Sequence, residues 1–142
     1  MEPLEFFAGR FRVALENTAR SQLPITFQGF PNGACGDAAL LLSRYLLDQG
    51  CGSFNYVLGM RGEGGDRHSH AWLQRGEILV DITADQFPEV DQAVIVTTHS
   101  PWHAEFQTEV LHEADYRIYD FQTAAMLDTA YEAVMQSMET VV

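Results

Sequence analysis

A chain of 142 residues with 46% hydrophobic content can bury a sizeable core, and the expectation is one domain over residues 1–142. Its 8 basic residues against 20 acidic ones give a formal net charge of −12, which argues against nucleic acid as a partner, because phosphate binding needs clustered Lys and Arg. No apolar run approaches the ~18 residues that span a bilayer, and the acidic opening MEPLEFFAGRF lacks the basic flank and apolar stretch of a signal peptide, so a cytoplasmic protein without membrane contact is expected, with signal-independent secretion left open.

In chain order, residues 3–19 read as an amphipathic helix, with Leu4, Phe7, Phe11 and Leu15 at helical spacing and Pro3 in the first turn. Residues 21–29 read as a connection in which Pro24 discourages helix and residues 26–28 are briefly extended. Residues 30–46, FPNGACGDAALLLSRYL, read as a glycine-containing loop entering a helix, with good helix formers over 38–47 and Gly50 as the stop. Cys35 falls at or near the first turn of that helix, where unpaired N–H groups and the positive end of the dipole favour a thiolate. Taken alone, Cys35 reads first as a small buried hydrophobe. Asp37 supports the same first turn, although its charge opposes a thiolate nearby. Cys51 follows the helix's far end, too distant from Cys35 for a disulfide and placed where the dipole disfavours ionisation.

Residues 53–59, SFNYVLG, read as a strand, and residues 60–67, MRGEGGDR, as a mobile polar loop; without a following GKS or GKT the phosphate-cradle reading of its three glycines is weak. Residues 71–74 and 78–82 then read as a hairpin turning through Arg75 and Gly76. That register sets Trp72 opposite Leu79, Ala71 opposite Val80 and His70 opposite Asp81, so an imidazole and a carboxylate meet on one face of the sheet. His68 shares that face and would sit opposite Thr83 at the rim. A His68–His70 metal pair is the weaker reading, because no third ligand has diagnostic spacing, and no metal is expected. Trp72 reads as core or pocket wall, and Asp85, Gln86 and Phe87 as the close of a loop in which Gln86 could hydrogen-bond near the site. Residues 93–98 read as a strand. Residues 99–106 read as a loop in which Trp102 either lines a cleft or packs. Residues 109–119 hold a short strand or an irregular piece. Residues 121–142 form a helix with Leu127, Tyr131, Val134, Met138 and Val141 in one stripe, a core face or, if exposed, a surface for a protein partner.

The order is therefore a thiol on a helix, then an imidazole and a carboxylate on neighbouring strands. A thiolate–imidazolium pair with an orienting carboxylate is a general device for acyl transfer. Gly33-Ala34-Cys35, His70-Ala71-Trp72 and Asp81-Ile82-Thr83 together resemble the transglutaminase-like branch of the papain-like cysteine enzymes. The likeness covers roughly residues 28–87. It implies an α+β fold, with the Cys35 helix packed on an antiparallel sheet of four or five strands that carries His70 and Asp81. It also implies Cys35 as nucleophile, His70 as general base and acid, Asp81 as the orienting residue and Gln28 as an oxyanion-hole group beside the Cys35 N–H. His68, Trp72 and Trp102 are the substrate-cleft candidates. A peptide or protein amide is the expected substrate, and no cofactor is required. The family also contains transferases, deamidases and members that lost catalysis. A transglutaminase- or deamidase-type enzyme, or a binding module retaining the fold, therefore stands as the alternative to an amide hydrolase or peptidase.

Overall fold

The computed structural model describes residues 1–140. Its elements are α1 (Glu2–Asn17), α2 (Cys35–Asp48), β1 (Asn55–Arg61), β2 (His68–Arg75), β3 (Ile78–Asp81), β4 (Ile95–Thr97), the single-turn α3 (Pro101–Ala104), β5 (Gln107–Glu113) and α4 (Phe121–Thr140). The fold is α+β: five strands pair antiparallel in the order β4-β3-β2-β1-β5. Val141, the last member of the predicted stripe on α4, lies outside the described residues.

Alternation along the strands divides the sheet into two faces. Leu73 and Val80 point toward α2 and join Phe11 and Leu15 of α1, Leu41 and Leu46 of α2 and Leu127 and Val134 of α4 in the main core. The C-terminal stripe is thus a packing face, with Met138 half-buried against the same core. Val57, Trp72 and Leu79 leave the other face and meet Phe87 and Phe106 in a second cluster. Gly59 is required there, since a Cβ would lie 2.7 Å from the Trp72 ring and 2.9 Å from Phe106 Cβ.

Three expectations are corrected. Residues 26–28 are not extended: Ile25–Phe27 is a 3-10 turn following Pro24. Residues 99–106 are not a plain loop, because Ser100 caps α3, with Pro101 at a position that needs no N–H donor. The β2–β3 hairpin turns one residue later than expected, through Gly76 and Glu77, so Arg75 pairs with Ile78 and Leu73 with Val80. Gly76 takes φ +58°. As the first turn residue it accepts the left-handed backbone, whereas a turn through Arg75 and Gly76 favours positive φ at Arg75 as well. The pairing moves by two residues, an even number, so His70 and Asp81 keep a common face and meet diagonally rather than directly.

Arg12 of α1 locks the segment after β3. Its guanidinium donates to both Asp85 carboxylate oxygens at 2.8 Å, to the Ile82 carbonyl at 2.6 Å and to the Ala93 carbonyl at 3.2 Å. Its Nε has only Glu16, at 3.4 Å and without hydrogen-bond geometry. The Phe30 ring covers the group, with Cζ 4.8 Å from the ring centre.

Candidate active site

Cys35 is the first residue of α2 and is half-buried. Gly33, at φ +79°, bends the chain into the helix, and Thr26 donates to Asp37 at 2.7 Å across the entry. The thiol shares a small gap with Ala71, Trp72 and Asp81, and the His70 imidazole and the Ala71 N–H act on it electrostatically. Burial pushes the thiol up, but the hydrogen bond and charge of His70, with the Ala71 N–H, bring it below its ordinary value against the opposing charge of Asp81.

His70 is fully buried. Its Nε2–H donates to Asp81 Oδ2 at 2.6 Å, and the Gln86 amide Nε2 lies 2.9 Å from its Nδ1. Burial pushes the imidazole down, and the hydrogen bonds and charges of Asp81 and Cys35 carry it up to about 9. These are the directions in which a thiolate–imidazolium pair would shift both groups.

Asp81, 2% exposed, accepts a further N–H from His103 Nε2 at 2.7 Å on the same Oδ2, and the Thr83 N–H at 2.9 Å on Oδ1. Burial pushes its carboxyl up; the hydrogen bonds of His103 and His70 more than offset this and hold it well below the ordinary carboxylate range. His103 in turn bonds Ser100 Oγ through Nδ1 at 2.6 Å.

His70, Asp81 and His103 are also, among the described residues, the one group of three whose atoms converge as metal ligands do. The separations favour hydrogen bonds. Donors bound at ~2.1 Å around an ion stand about 3 Å or more apart, whereas both imidazole nitrogens are 2.6–2.7 Å from a single oxygen. All three side chains are closed to solvent, and each convergent atom already has its partner.

The other candidates are dispersed. Gln28 is exposed at the end of a 3-10 turn, and its side chain makes no hydrogen bond among the described residues. His68 is exposed and edge-on to Phe87 at 6.1 Å. Trp72 is buried and stands as wall rather than cleft surface, its ring 5.7 Å from His70 and 4.8 Å from His103. Trp102 is half-buried, 5.7 Å from His70, and donates to Glu89 at 3.0 Å. It borders an open groove of about 840 Å³ whose walls include Glu89, Asp91, Ile95 and Ser100 but not Cys35. Arg61, bonded to Glu89, spans the Phe87, Trp102 and Phe106 rings at 4.8–5.3 Å and seals this side.

Three contributors escaped the sequence reading in whole or part. The role of His103 was hidden because its partner is 22 residues away, although the run Ser100-Pro101-Trp102-His103 carries a helix-start pattern. Gln86 was read chiefly as closing a loop. The Tyr56 hydroxyl stands over Gly36, next to Cys35, so close that a Cβ on Gly36 would fall 2.7 Å from it. No helix is long and apolar enough to cross a membrane among the described residues. Comparison of the chain with protein-family models, with curated proteins and with solved structures gives no match.

Proposed function

We propose that this chain is a cysteine-dependent acyl-transfer enzyme of transglutaminase-like, papain-like architecture, acting on an amide bond of a peptide or protein. The observation that carries the reading is the placement of Cys35, at the first turn of α2, in one gap with Ala71 and Asp81, beside a buried His70 whose Nε2–H is bonded to buried Asp81. In this reading the Cys35 thiolate attacks the amide carbonyl, forming a C–S bond and an oxyanion. In this reading the Cys35 N–H faces that oxyanion. His70 imidazolium gives its proton to the leaving amine as the C–N bond breaks, leaving a thioester on Cys35. Water then attacks the thioester, His70 takes its proton, and the thiolate leaves with release of the acid. An amine in place of water gives transfer, through the same acyl-enzyme.

The test is acid-quenched mass spectrometry after incubation with a pool of peptide amides. An acyl adduct on the Cys35 peptide, released by hydroxylamine and absent from Cys35→Ala, is the expected result. Failure of any adduct to form across a broad pool, in a protein whose Cys35 reacts freely with iodoacetamide, points instead to a binding module.

A further inference from the structure

We propose that His103 is a positioning residue for the Cys35–His70 pair, holding Asp81 Oδ2 against His70 from the opposite side, with Ser100 fixing the His103 tautomer. The proposal rests on the acyl-transfer reading above and extends it by one imidazole.

The tautomer follows from counting hydrogens. Ser100 Oγ accepts the His103 backbone N–H at 3.2 Å as the cap of α3. Its single O–H is then free to point at His103 Nδ1, 2.6 Å away. The Asp81 carboxylate only accepts, so Nε2, 2.7 Å from Oδ2, carries the imidazole proton, and Nδ1 is left to accept the Ser100 O–H. This makes a continuous row, Ser100 to His103 to Asp81 to His70, linking α3, β3 and β2, with Cys35 of α2 in the gap beside Asp81 and Ala71.

One oxygen receiving two N–H donors is fixed in two directions. With the Thr83 N–H on Oδ1 and His70 alone on Oδ2, the carboxylate keeps a tilt at Oδ2 about its Oδ1 anchor. The second donor removes that freedom. His103 is 3% exposed and closed in by the Trp72 ring at 4.8 Å and the Trp102 ring at 4.7 Å, so its own position is set by packing. The groups facing His70 are Cys35 from α2, Asp81 from β3, Gln86 from the turn after β3 and His103 from α3, with Arg61 of β1 beyond the Phe87 and Trp102 rings.

The experiment has two parts. Nitrogen-15 histidine NMR of the unaltered protein should show His103 with its proton on Nε2 and an accepting Nδ1. A proton on Nδ1 overturns the proposal, whether or not Cys35 is catalytic. The pH–rate profile of Cys35 alkylation by iodoacetamide is then compared in wild type, His103→Ala and His103→Gln. The expected result is a loss of at least fivefold at pH 6 in His103→Ala, with the midpoint moved toward higher pH. His103→Gln, which keeps an N–H donor, should recover to within about twofold of wild type. An unmoved profile in His103→Ala, or equal losses in both variants, overturns the proposal, the second outcome reducing His103 to packing. A wild-type Cys35 that alkylates as an ordinary thiol removes the acyl-transfer reading and this extension with it, while the NMR result still judges the His103–Asp81 bond separately.

Discussion

Asp81→Asn is expected to move the pH midpoint of Cys35 alkylation up toward the ~8.5 of a free thiol. The carboxylate lies at the centre of the site, receiving three N–H donors while buried. An amide of the same shape keeps the volume but removes the charge that carries His70 upward. A less basic His70 is a weaker counter-ion for the thiolate, so the thiol climbs. Below its midpoint, each unit of climb costs roughly threefold in rate, because the tenfold loss of thiolate is partly offset by higher intrinsic nucleophilicity. The comparison is made at matched fold, checked by near-ultraviolet circular dichroism. Superimposable profiles for Asp81→Asn and wild type would mean that Asp81 does not act through His70.

Arg12→Met carries the largest expected effect on stability. The substitution keeps most of the apolar stem against Phe30 but leaves the Asp85 carboxylate and the Ile82 and Ala93 carbonyls without their donor. Breaking a fully buried ion pair costs about 3–5 kcal/mol. The Asp85 side chain is 19% exposed and water reaches it, so about 2–4 kcal/mol is expected. Urea unfolding should show a lower midpoint with an unchanged slope. A loss under about 1 kcal/mol would show that the bonds around Arg12 are replaced by solvent on unfolding at little net cost. The same contact reaches the site, because residues 82–86 carry Thr83 and Gln86, which bond Asp81 and His70. Arg12→Met is therefore also expected to slow Cys35 alkylation at pH 6.

The helix formers after Ala38 and the stop at Gly50 made α2 legible, and the structure runs it from Cys35 to Asp48. The His70–Asp81 meeting was legible for a narrower reason. Side chains in a strand alternate with period two, so the displaced turn left both residues on one face. The exact register was not legible, because it depends on where Gly76, with its positive φ, stands in the turn, and a turn through Arg75-Gly76 or through Gly76-Glu77 leaves two apolar runs flanking a glycine. Arg12 and His103 were opaque for a different reason. Arg12 lies among α1's apolar positions, and only tertiary contact with Asp85, 73 residues away, reveals why a cation is buried there. His103 meets Asp81 only after α3 closes over the second face of the sheet. Local pattern carries no signal for such partners.

The most direct test of the thiolate–imidazolium pair is the rate of Cys35 alkylation against pH in wild type and His70→Ala, with the modified residue identified by peptide mapping. The pair predicts wild-type reactivity well below the ~8.5 midpoint of a free thiol, and loss of that low-pH reactivity in His70→Ala. Identical profiles in the two proteins, both midpoints at the free-thiol value, would contradict it.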